Sequence, residues 1–308
     1  MMNIFDKYYI LFVFVSIVLG FGLGQINTVP DLAEAVIVPL LIGMLYFTFL
    51  EIPIRKVVSS YKHIRFTSAS LIINFLWSPF VAWILAQCFL TQHFALYVGF
   101  LLLIVTPCTD WYLIFTKASN GNVHLSTAIL PLNFLVQIVL LPVFLYVFVG
   151  ITGILHLVDV IKSIFLMFIF PMFGAFLTKQ IGKTKTVQRL QLSISNIPTV
   201  LLLLAITAMF TSQGGMFIQH IRSIWWICIP LALFFFINYV VSFIVAKKLQ
   251  FPKRDRISLH FTTLARNSPL ALAFAMTTFP NEPLIALLLA TVPLLELPFL
   301  AALSGLLK

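Results

Sequence analysis

Ten stretches of about twenty mostly apolar residues fill this chain almost end to end, and they limit its possible folds more than any other feature. They lie at roughly 8–24, 32–50, 66–90, 94–118, 122–149, 157–178, 191–211, 222–246, 257–279 and 283–306. Each is long enough to cross a bilayer as a helix, so the spacing predicts an all-α polytopic membrane protein with ten transmembrane helices. No soluble domain or long linker is left between them. A charged fraction of 9% is far below the roughly one quarter of a soluble domain. The first run follows Lys7 but has no clear small-x-small cleavage site, so it reads as a retained helix. The net charge of +10 does not imply nucleic acid, because the positive residues lie in short loops between spans. Cys88, Cys108 and Cys228 all lie inside apolar runs, which suggests neither a disulfide framework nor a zinc site.

Basic residues cluster after the second span (Arg55, Lys56, Lys62, Arg65), the sixth (Lys179, Lys183, Lys185, Arg189) and the eighth (Lys247, Lys248, Lys253, Arg254, Arg256). Lys117 follows the fourth span, and Lys7 and Lys308 lie at the termini. The opposite loops hold little beyond Arg222 and Lys162. Ten spans place every basic loop on one side, which predicts a plasma-membrane protein with both termini cytoplasmic. Five spans per half is an odd number, so similar halves at about 1–150 and 151–308 would be inverted repeats, a common plan of secondary transporters.

Within the fourth span runs Thr106-Pro107-Cys108-Thr109-Asp110. Pro107 removes a backbone donor and clashes with the preceding turn, so the helix is expected to break there. A broken helix carrying a thiol, hydroxyls and a carboxylic acid is how many transporters build a site at the bilayer midplane. The plainer alternative is a proline-kinked packing helix with Cys108 as a small buried hydrophobe. The ninth span, also the fourth of its half, carries Leu264-Ala265-Arg266-Asn267-Ser268-Pro269, with a second break expected at Pro269.

Arg266 keeps its charge in any realistic setting and needs an anion, a dipole or water. Asp110 is its natural candidate partner and Glu296 the second. The pair is either a permanent brace between crossing helices or a carboxylate that changes partner or protonation during a transport cycle. Glu296, flanked by Pro293 and Pro298, suits proton coupling or a neutral acid donating to a freed carbonyl. Asn133 and Gln137 lie four apart on one helix face, lining a solute path or bonding between helices. Asn74, Asn196 and Asn238 read as helix–helix contacts. No histidine is assigned a site. No phosphate-binding loop or metal-ligand spacing is present, so no cofactor is expected, and uphill transport would draw on an ion gradient.

These residues resemble the bile acid/sodium symporter superfamily, and within it the arsenite-efflux carriers. The matching segments are Thr106-Pro107-Cys108-Thr109, Gly121-Asn122, Asn133 and Gln137 before Pro142, Ser212-Gln213-Gly214-Gly215 after the seventh span, Ala265-Arg266-Asn267, and Val292-Pro293-Leu294-Leu295-Glu296-Leu297-Pro298. The resemblance covers nearly the whole chain. It implies a ten-helix carrier with crossed, interrupted helices 4 and 9 in a core and helices 1, 2, 6 and 7 in a panel. It also implies that Cys108 and Glu296 occupy positions associated with arsenite transport. Thr262 and Arg266 stand where sodium-coupled relatives have a Glu and a Gln that help hold sodium, and Pro269 stands where many arsenite carriers have a Glu.

The leading expectation is therefore a secondary carrier exporting arsenite, antimonite or a similar metalloid oxyacid by proton exchange. Its solute and ion site would involve Cys108, Thr109, Asp110, Asn133, Gln137, Arg266, Asn267 and Glu296. A thiol is a suitable soft ligand for trivalent arsenic, although one cysteine cannot make a three-thiolate site. The alternative is a sodium- or proton-coupled symporter of organic anions, with Arg266 or half-helix N-termini attracting the substrate. An intramembrane hydrolase using Asp110 and Glu296 lacks the glycine-rich aspartyl signatures, so the chain is not expected to be an enzyme.

Overall fold

The computed structural model describes residues 8–26, 28–52, 63–109, 111–148, 157–181 and 196–308. Asp110, Lys7, Arg55, Lys56, Lys62, Lys183, Lys185 and Arg189 lie outside the described residues. In chain order the helices are α1 (Tyr9–Leu23), α2 (Val29–Glu51), α3 (Ile64–Phe89), α4 (Phe94–Val105), α5 (Trp111–Ala118), α6 (Val123–Phe148) and α7 (157–181). They continue with α8 (Ile197–Trp225), α9 (Cys228–Lys248), α10 (Lys253–Leu264), α11 (Ser268–Thr278), α12 (Pro283–Thr291) and α13 (Pro293–Leu307). Helix is the form hydrocarbon demands, because a peptide group there has no water to bond and must be satisfied within its own segment.

Among the described residues, seven helical stretches are long and apolar enough to cross a membrane: α2, α3, α6, α7, α8, α9 and the α12–α13 run. The other three expected spans take other forms. The first is the 15-residue α1. The fourth and ninth are each split, into α4 and α5 and into α10 and α11. α3 and α7 carry π-helical stretches at Ile73–Trp77 and Phe165–Ile169.

α8 corrects one expectation. It is a single helix of 29 residues that runs through Ser212-Gln213-Gly214-Gly215, which were expected to follow the seventh span. Gly214 serves packing here. A Cβ on Gly214 would sit 2.8 Å from Cδ1 of Phe21, so only hydrogen fits.

The chain divides into two compact units, each drawing on both halves of the sequence. One comprises residues 1–52, 156–221 and 269–294, and so contains α1, α2, α7, most of α8, α11 from Pro269 onward, and α12. Gly20 and Gly24, four apart on α1, let it approach α8 closely. A Cβ on Gly20 would lie 2.6 Å from Cβ of Phe210, and one on Gly24 would lie 2.7 Å from the Thr211 carbonyl. α7 packs against α2, where the Tyr46 and Thr178 hydroxyls are 2.8 Å apart. Lys179 Nζ donates to the carbonyls of Phe49 and Ile52, both at 2.9 Å, satisfying groups that the end of α2 leaves open.

The other unit comprises residues 53–155, 222–268 and 295–308, and so contains α3 to α6, α9, α10 and most of α13. Phe66, Ala69, Ile73, Leu125, Ile129, Ala246 and Leu259 form a core cluster within it. α5 is pinned on three sides. Tyr112 donates to the Ser126 carbonyl at 2.7 Å, the Ser119 and Ser304 hydroxyls meet at 2.8 Å, and Phe115 stacks on Phe261 at 6.0 Å. Asn122 accepts from the Leu125 N–H at the start of α6 and donates to Asp255 at 2.8 Å, tying the α5–α6 turn to α10.

Candidate functional site

The breaks of the fourth and ninth spans meet inside the second unit. Residues 106–109 leave the helix after α4, and 265–267 separate α10 from α11. Pro107 and Arg266 face each other in an antiparallel β-bridge. Two main-chain bonds bracket it: the Cys108 N–H donates to the Ala265 carbonyl at 3.1 Å, and the Asn267 N–H donates to the Thr106 carbonyl at 2.8 Å. Each break thus satisfies peptide groups that the other would leave bare, which solves the problem of irregular backbone inside a membrane.

The register explains the proline. In an antiparallel pair, the residues between two such bonds point their N–H groups away from the partner strand. Pro107 has no N–H, so this position costs it nothing. Arg266 opposite it does have one, and that N–H donates to Glu296 Oε1 at 2.6 Å. Glu296 therefore accepts from a backbone donor through Oε1. Pro269 is not in the break. It lies in the first turn of α11, where a missing N–H is tolerated, while the chain has already left the helix at Ala265 (φ −67°, ψ 137°).

The Arg266 side chain is 1% exposed. Its Nη1 donates to the Ile104 carbonyl at 2.9 Å, and Nη2 donates to the Thr263 carbonyl and to Ser78 Oγ at 3.2 Å. Its Cζ sits 4.9 Å from the ring centre of Phe234. The two carbonyls belong to the last turns of α4 and α10, so one cation serves the negative ends of two helix dipoles. Of the partners that the charge calls for, dipoles hold the guanidinium here, while the position of Asp110 lies outside the described residues. Nε is buried and has no hydrogen-bond partner among the described residues.

Around this junction lie residues whose part the sequence left general. Asn238 Nδ2 donates to the Thr263 carbonyl and to Ser78 Oγ, both at 2.9 Å, and Asn74 Nδ2 donates to the Thr262 carbonyl at 3.2 Å. Both are contacts between helices, and they also close the open end of α10. Ser78 was not singled out in the sequence, yet it receives both Asn238 and Arg266. Its only local signal is a hydroxyl beside Pro79 in an apolar span. Asn267 Nδ2 donates to Thr109 Oγ1 at 3.2 Å, so these two polar residues of opposite breaks also meet.

Cys108, Thr109, Arg266, Asn267 and Glu296 are therefore brought together and are all buried. Asn133 and Gln137 are each 1% exposed on α6, which packs against α4, α5 and α10. Neither amide has a hydrogen-bond partner among the described residues. Leaving two such amides bare inside a protein costs roughly 1–3 kcal/mol each, more than packing alone would justify. Among the described residues no group of three or more His, Cys, Asp or Glu could hold a metal ion.

Paired helix breaks inside a bundle of apolar helices define a membrane transporter. Residues 38–220 match the Sodium Bile acid symporter family, and the chain, more than half of it covered, belongs to that family. Over 97% of its length it is 22% identical to the arsenical-resistance protein Acr3 of Corynebacterium glutamicum, of which 87% is covered. It is also 22% identical, over 89% of its length, to the arsenical-resistance protein Acr3 of Alkaliphilus metalliredigens, with 84% of that protein covered. An uncharacterized transporter of Synechocystis is similar at 22% over the whole chain and 89% of its own length.

Proposed function

We propose that this protein is a secondary carrier that exports arsenite, or a similar small metalloid oxyacid such as antimonite, in exchange for protons. The observation that carries the reading is that the backbone of a cysteine and the carboxyl group of an acid dock on consecutive residues of one break, Ala265 and Arg266. Cys108 bonds Ala265 through its N–H, and Glu296 accepts from Arg266. A thiol supplies soft ligation for trivalent arsenic, and a buried carboxyl supplies a group that can take and release a proton. A neutral trihydroxy solute also needs both donors and acceptors, which the bare amides of Asn133 and Gln137 offer. The two arsenical-resistance relatives favour the same cargo. Thr109 and Asn267 belong to the same site, with Asp110 beside them in sequence.

In this reading α1, α2, α3, the α4–α5 pair and α6 form one five-span repeat, and α7 to α13 form a second, inverted one. Ten crossings then put the basic loops and both termini in the cytoplasm, with the carrier in the plasma membrane.

The test is transport in proteoliposomes, with arsenite and an organic anion offered under separately imposed proton and sodium gradients. Arsenite flux driven by a proton gradient, and lost in Cys108→Ser, is the expected result. Sodium-driven uptake of the organic anion without arsenite flux would overturn the proposal, and unchanged flux in Cys108→Ser would remove the thiol from it.

A further inference from the structure

In the second unit, α3 and α9 enclose an apolar groove of about 470 Å³. Its inner wall continues the core cluster: Ile73 is buried, with Val245 and Leu249 packed against it. Ile64 and Ile72 stand at its edge, 58% and 55% exposed. Two cations complete the lining, Arg65 in the first turn of α3 and Lys248 at the last residue of α9. Both sit at the ends of membrane-spanning helices, the depth at which lipid headgroups lie.

We propose that this groove binds one anionic phospholipid, with an acyl chain along α3 and α9 and its phosphate held by Arg65 and Lys248. The lining selects the ligand. The walls are too apolar for a water-soluble anion, and the paired positive charges at one end suit a phosphodiester without a compensating ammonium. The volume falls within the roughly 300–1,000 Å³ of ligand clefts. Basic pockets between membrane helices are established anionic-lipid sites by the same chemistry. An adjoining cleft of about 300 Å³ shares Ile64 and Arg65 and also contains His63 and Asp255. The Asp255 carboxylate accepts from Asn122 Nδ2 at 2.8 Å through one of its oxygens.

Native mass spectrometry of the delipidated full-length carrier tests this, using phosphatidylglycerol and phosphatidylcholine with the same acyl chains. Phosphatidylglycerol is expected to bind more tightly. The Arg65→Gln/Lys248→Gln variant should weaken it about 30-fold, as expected for two cations near a bilayer surface, and leave phosphatidylcholine unchanged. Val245→Trp, which fills the groove, should weaken both lipids. Glycerol phosphate alone should not compete. Equal binding of the two lipids, no effect of the double variant, or full competition by glycerol phosphate would each overturn the proposal.

Discussion

Arg266→Gln is the substitution whose cost follows most directly from the geometry. The guanidinium makes charge-assisted bonds to the ends of two helices, through Ile104 and Thr263, and lies 4.9 Å from the ring centre of Phe234. Bonds involving a charged group contribute about 1.5–3 kcal/mol each, and a desolvated cation–ring contact contributes about 2 kcal/mol. Hydrogen bonds between membrane helices average nearer 0.6 kcal/mol, because the unfolded chain in lipid also finds partners. Removing the cation also leaves Glu296 buried without its nearest counter-charge. We expect a net loss of about 3–5 kcal/mol, the range for taking one member from a buried charged cluster. Arg266→Lys keeps the charge but loses the planar fork, so it should serve one helix end and recover about half of the loss. Reversible unfolding by titrating a denaturing detergent into mixed micelles measures both variants. An Arg266→Gln protein within about 1 kcal/mol of the parent, or an Arg266→Lys protein as stable as the parent, would refute the two-ended brace.

Asn133→Leu and Gln137→Leu should each stabilise the carrier by about 1–3 kcal/mol in the same assay while slowing arsenite flux, because each removes a bare buried amide. Lost stability would show that the amides have a structural task. Glu296→Gln keeps an oxygen acceptor for the Arg266 N–H but not the exchangeable proton. Its fold should therefore survive while flux stops responding to an imposed pH gradient, and retained proton coupling would acquit Glu296. Gly121→Ala puts a methyl 2.7 Å from Thr116 Cγ2 and 2.9 Å from Ile257 Cγ2, and should lower stability by about 1–3 kcal/mol.

The break at Pro107 was legible because a missing donor and a steric clash are local facts of one residue. The second break was legible only approximately. Proline marked its neighbourhood, but the chain leaves the helix at Ala265, since a proline is welcome in the first turn of the helix that follows. The partners of Asn74 and Asn238 could not be read from sequence, because their acceptors become available only once α10 has ended. The run through Gly214 and Gly215 failed for a related reason: two adjacent glycines look like a loop locally, and only Phe21, far away in the chain, shows why one must be small. Family membership was legible because it rests on the order of short motifs, which survives where individual residues drift.

Two of the bonds that stitch the breaks together are made by peptide groups alone, at Thr106, Cys108, Ala265 and Asn267. Those two do not depend on what the side chains at the four positions are made of, unlike the bond from Asn267 Nδ2 to Thr109. Thiol, hydroxyl or amide can therefore be exchanged there while the weave beneath stays the same. A frame of this kind lets cargo preference drift by single replacements, with no need to reinvent the backbone that presents them.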